Sequence, residues 1–186
     1  MRYIGATMVS LESYHEQVRE AILLRSGAPV MNSNIDHATI ITQEALANAK
    51  SKVRILSSKL DPTCYAHPGV IEAARYFLLD PDHRLEILIE AEEIDDNRNF
   101  DWHGHKLIRE FKGKNAEVRL VPKAESARYS FNFMLLDDYG FRYEFDRRRP
   151  AAVAGFLPAG APNAQVENLS SVFSELWAAS IPLKLN

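Results

Sequence analysis

Three short runs rich in aliphatic residues, Lys52–Ser58, Arg84–Glu90 and Ala116–Val121, are separated by segments with helical apolar spacing, and this alternation is the strongest constraint on the fold. In the first run Val53 and Ile55 alternate with polar neighbours as in a strand. Between the first two runs, His67 and Pro68 open a stretch, Gly69–Leu79, that carries a wide apolar face, and proline suits the first turn of a helix. Between the second and third, a charged loop through Asp101 leads into a helical pattern over Trp102–Gly113. Strands joined through helices pair in parallel by right-handed crossovers, with helices on both faces of the sheet. The expectation is an α/β fold with a parallel βαβαβ core.

Two further strands follow, Ser130–Leu136 and Phe141–Phe145, joined by Asp137–Gly140, whose acidic residues and terminal glycine are turn formers. They predict an antiparallel hairpin added to the parallel strands, giving a mixed sheet. A last helix is expected over about Ala164–Ser180, with Val166, Leu169, Val172, Phe173, Leu176 and Trp177 on its core side. The segment Gly155–Asn163 reads as the loop before it. At the other end, Leu11, Tyr14, Val18 and Ile22 form the apolar stripe of an amphipathic helix, and Arg25–Asn34 reads as a loop leading to a helix capped by Asp36 and running to about Lys50. Residues 1–35 are therefore assigned to an N-terminal helix and connecting loop, and residues 36–186 to the α/β domain.

Composition narrows the classes of function. The chain has 186 residues, 46% of them hydrophobic, enough for one substantial core. A net charge of -3 argues against a protein that coats nucleic acid through a global positive field, so any anion site must be local. Cys64, the single cysteine, has no partner for a disulfide or a zinc site. No run approaches the roughly 20 apolar residues of a membrane helix, and the reading is a soluble, cytoplasmic protein with no membrane partner.

The hairpin carries a more specific signal. Its sequence, FNFMLLDDYGFRYE over residues 131–144, resembles the phospholipase D motif HxKxxxxD in a register that sets Phe131 at the histidine, Phe133 at the lysine and Asp138 at the aspartate. Together with the element order over about residues 36–180, the chain resembles one phospholipase D-like unit. In that family a histidine attacks phosphorus, a second motif's histidine protonates the leaving group, and lysines hold the phosphate oxygens. The two motifs come from a tandem repeat or a homodimer. Phenylalanine supplies none of these functions, so the resemblance implies a pseudoenzyme, with no catalytic residue assigned, that forms a homodimer. The family's glycine-serine-x-asparagine stretch is also incomplete here, since Ala152–Gly160 offers Gly155 without the serine or asparagine.

Candidate binding residues come from charge and from topology. Arg142 in the hairpin clusters with Arg147, Arg148 and Arg149 after it, and Arg128 lies just before it; guanidinium groups pair bidentately with phosphate oxygens. In parallel sheets ligands lie beyond the carboxyl ends of the strands, which points to Ser57 and Lys59. The acidic residues Glu90, Glu92, Glu93, Asp95 and Asp96 crowd the same edge and oppose a nuclease cleft. His103 and His105 beside Asp101 have the residue types of a metal site, but in a helix an HxH pair diverges by about 200°. No metal and no cofactor are expected. The candidate ligands are a nucleic acid, a phosphorylated molecule or a protein partner; the alternatives are a hydrolase using other groups, or a structural or regulatory subunit.

Overall fold

The computed structural model describes residues 10–90, 106–111, 113–149, 151–158 and 160–183. Helix α1 (Leu11–Leu24) starts at Ser10, whose hydroxyl accepts the Ser13 amide at 3.1 Å, and buries Tyr14, Val18 and Ile22 of the expected stripe, while Leu11, its first member, is exposed in the first turn. Helix α2 (Ile35–Asn48) is capped by Asn34, not Asp36: the Asn34 side chain accepts the His37 amide at 2.8 Å, while Asp36 lies in the first turn, where its charge opposes the positive end of the helix dipole.

Strand β2 (Lys52–Ser57) is followed by α3 (Pro62–Tyr65), α4 (Pro68–Phe77) and β3 (Arg84–Glu90), then α5 (Lys106–Phe111) and β4 (Ala116–Val121). These three strands pair in parallel as expected. A short helix α6 (Lys123–Ser126) leads to the hairpin β5 (Asn132–Leu136) and β6 (Gly140–Glu144), which joins the sheet antiparallel to β2. Helix α7 (Ala164–Ala179) follows.

Three strands were not visible in the sequence. Val30–Asn32, within the expected loop 25–34, forms β1; Ala152–Phe156, reaching into the expected loop 155–163, forms β7; and Ile181–Pro182 forms β8. All are short, and three residues with a buried, exposed, buried pattern give no usable periodicity. What specifies β7 is pairing. Each glycine of the β6–β7 pair faces an aromatic residue, Gly140 against Phe156 and Gly155 against Phe141. A Cβ on Gly140 would meet the Phe156 ring at 2.7 Å and one on Gly155 the Phe141 ring at 2.9 Å, so the rings lie flat over the glycines.

The resulting sheet has the order β1-β7-β6-β5-β2-β3-β4-β8. On one face, Val53, Ile55, Leu85, Ile87, Met134 and Ala154 pack with α1, α2, α4 and α5; on the other, Leu56, Leu88, Phe133 and Leu135 pack with Val166, Leu169, Phe173 and Leu176 of α7. Helix α1 packs into the first core, and β1 contributes Val30 to it while pairing with β7 in the common sheet. The architecture is the expected mixed α/β sheet, parallel strands plus an antiparallel hairpin, between helices. Among the described residues no helix is long and apolar enough to cross a membrane.

Candidate functional site

At the carboxyl ends of β2 and β6, where β5 begins, a cleft of about 310 Å³ opens between the sheet edge and the start of α2 and α3. The pleat decides what reaches it. Asn132, Arg142 and Glu144 point to the α2 face, since Asn132 lies opposite Glu144, and Arg142 opposite Met134, in the hairpin register. Ser57 ends β2 on the same face, and its hydroxyl accepts the Leu60 amide at 3.0 Å. Leu60 is fully buried with φ 46, a left-handed conformation costly for a branched side chain, and the buried leucine holds the turn that carries exposed Lys59.

A chain of hydrogen bonds forms the floor. The Ser58 amide donates to Asn132 Oδ1 at 3.0 Å, Asn132 Nδ2 to Glu144 Oε2 at 2.6 Å, Arg142 Nη2 to Glu144 Oε1 at 2.6 Å, and Arg142 Nε to Asn32 Oδ1 at 2.7 Å. This network joins β2, β5, β6 and β1. Arg142 is only 4% exposed, so its charge is compensated internally and its guanidinium braces the floor.

The rim differs. Arg148 and Arg149 are largely exposed and flank Asp146 at 3.1 and 3.8 Å, and the Arg148 hydrogen bond holds the Asp146 carboxyl below its ordinary range. Arg147 pairs with buried Glu90 at the end of β3, so one of the acidic residues that oppose an anion at this edge is neutralised. Lys59 lines the cleft with no ion-pair partner among the described residues.

Six of the seven candidate binding residues thus line one cleft: Ser57, Lys59, Arg142, Arg147, Arg148 and Arg149. Arg128 stands apart, pairing with Glu125 at 3.0 Å and Glu175 at 2.7 Å. Glu92, Glu93, Asp95, Asp96, Asp101, His103 and His105 lie outside the described residues. Asn132 and Glu144 were missed; the available signal was a polar residue between Phe131 and Phe133, and an Arg-x-Glu pair on one strand face.

The chemistry of the cleft favours binding. Burial raises the Cys64 thiol and the Tyr65 phenol above their ordinary values, so neither is ionised at neutral pH, and no described histidine lines the cleft. Glu144 is committed to Arg142 and Asn132. Among the described residues no group of three histidine, cysteine or acidic side chains could hold a metal.

Residues 34–184 match the family described as a domain of unknown function, DUF7931. The chain belongs to the DUF7931 family. No curated protein matches this DUF7931 chain in sequence. Its fold is similar to that of TrmBL2, an archaeal chromatin protein whose structure shows a novel mode of DNA binding, with a TM-score of 0.58 at 13% identity over 92% of this chain and 62% of that one. The DUF7931 chain therefore spans less than two thirds of TrmBL2. It is similar also to NucT from Helicobacter pylori, with a TM-score of 0.59 at 10% identity over 84% of this chain and 99% of NucT. At such identities the likeness concerns the fold.

In this DUF7931 chain the residues in the HxKxxxxD register do not meet in the cleft. Phe131 and Phe133 are on the α7 face of β5, opposite Asn132, within an aromatic group in which Phe131 lies 5.4 Å from Tyr129 and 5.1 Å from Tyr143, and Phe133 6.3 Å from Phe173. Phe145, the last residue of the expected strand Phe141–Phe145, is 61% exposed, because the ladder of β6 ends at Glu144. Asp138 lies in the turn at the far end of the hairpin.

Proposed function

We propose that this DUF7931 domain is a binding module for phosphate-bearing ligands, a nucleic acid first among them, that works as a homodimer and lacks phosphodiester-cleaving activity. The observation that carries the reading is the split of cationic groups within one cleft: Arg142 fixes the floor, while Lys59, Arg148 and Arg149 are exposed at the rim, where a phosphate can reach them. The absence of catalysis is supported by Phe131 and Phe133 at the motif positions, by their packing on the other face of the sheet, and by the burial of Cys64. The DNA-binding described for TrmBL2 adds support for nucleic acid as the ligand.

The test is fluorescence anisotropy of labelled single- and double-stranded oligonucleotides with the purified protein, alongside light scattering and a phosphodiesterase assay. Saturable binding that weakens at least tenfold in the double variant R148A/R149A, by a particle of twice the chain mass, without cleavage, is the expected result. Metal-independent cleavage would overturn the assignment as a pseudoenzyme. Binding unchanged in the double variant would remove the cleft from it.

A further inference from the structure

A second cleft, of about 440 Å³, lies at the opposite end of β2 and is lined by Arg25, Lys50, Lys52 and Arg54 together with Asp137, Asp138 and Tyr139. We infer that this cleft is a separate anion site, suited to the phosphate group of a phosphomonoester. Three elements supply its cations: Arg25 closes α1, Lys50 sits in the turn after α2, and Lys52 and Arg54 project from one face of β2. Neither Arg25 nor Lys50 has an ion-pair partner among the described residues. Arg25 lies instead over the Tyr139 ring, 3.4 Å from its centroid, and Arg54 is hydrogen-bonded to the neutral Ser170 hydroxyl at 3.1 Å. Among the described residues Lys52 is the one cation of the wall in an ion pair, 3.5 Å from Glu86.

The acidic residues of the wall do not cancel this charge equally. The Asp137 carboxylate accepts the amides of Lys50, Ser51 and Lys52 at 2.9, 2.9 and 2.8 Å and the Ser51 hydroxyl at 2.9 Å. Its charge is spread over four donors, and the same bonds fix the turn that presents Lys50 and Lys52. Asp138 is exposed and makes no hydrogen bond among the described residues, so it is the group that opposes an anion most directly. Finally, the buried Tyr139 hydroxyl makes no well-formed hydrogen bond among the described residues, and the Arg25 guanidinium over its ring is the donor group beside it. A buried donor is rarely left so, and Tyr139 lines the cleft where Arg25 lies over its ring.

This site does not rest on the function proposed for the carboxyl-end cleft, and its test separates the two. Isothermal titration with inorganic phosphate at constant ionic strength should give saturable binding to the intact chain. Measured in the R148A/R149A background, which removes phosphate binding at the carboxyl-end cleft, R25Q/K50Q should weaken it at least tenfold and D138N should strengthen it several-fold, with circular dichroism confirming that each variant is folded. No saturable heat would overturn the inference. So would binding lost in R148A/R149A but retained in R25Q/K50Q, which would assign the phosphate to the other cleft.

Discussion

Arg142 carries a charge into a site that is 4% exposed and meets two partners there, Glu144 and Asn32. Removing one member of such a pair leaves the other charged, desolvated and unpaired, which costs more than the pair itself contributes. Glu144→Leu is therefore expected to destabilise the fold by about 3–5 kcal/mol, measured by urea denaturation, and more than Arg148→Ala, which removes an exposed group. A pH effect also belongs at this scale. Tyr14 is buried, its hydroxyl donates to the Met31 carbonyl at 2.9 Å, and burial pushes its pKa up to about 12 from 10.0. Between those two values the unfolded chain has released the proton and the folded chain still holds it, so stability falls as pH rises through this window. Tyr65, whose phenol burial also raises, contributes with the same sign. The expected result is a loss of stability on alkaline titration that is reduced in Tyr14→Phe, with part of the tyrosinate absorbance appearing only on unfolding.

The N-terminal helix shows how far an element can be judged from its pattern. The spacing of Tyr14, Val18 and Ile22 predicts the buried stripe correctly, but a stripe does not say what covers it, and here the cover is the chain's own α2 and β7. Val18 is fully buried, whereas Leu11 is 49% exposed. Val18→Ala should thus cost about 1–3 kcal/mol in denaturant unfolding without changing the oligomeric state, and Leu11→Ser should fall within about 0.5 kcal/mol of the parent. The same reasoning explains what was legible. The parallel strands announce themselves because six or seven residues suffice to show a period, and the five-residue strands of the hairpin because the Asp137–Gly140 turn marks where they meet. By contrast β1, β7 and β8 are specified by partners distant in sequence, such as Ala154 opposite Val30 and Leu120 opposite Ile181. The cleft was half legible for the same reason. Clustered arginines and strand ends can be read locally, while Asn132 and Glu144 acquire a role only when the register sets them side by side.

At the scale of the whole molecule the charge balance constrains how nucleic acid can be held. A net charge of -3 leaves no general attraction for a polyanion, so binding has to come from a few exposed cations in one place. At the carboxyl-end cleft those are Lys59, Arg148 and Arg149, because Arg142 and Arg147 are committed to Glu144 and Glu90. Counterion release scales with the number of phosphates neutralised, about 0.9 per contact on duplex DNA and 0.7 on a single strand. Three contacts therefore predict a shallow slope of log affinity against log salt, roughly -2.7 for a duplex and -2.1 for a single strand. A protein that tracks the backbone over a full turn gives a slope several times steeper. In R148A/R149A the slope should shrink by about 1.8 on duplex DNA, since two of the three contacts are gone. A slope steeper than about -5 for the parent chain would mean that phosphates are gripped over a much larger surface than this cleft, and a slope indifferent to the double substitution would mean that the rim arginines do not touch them.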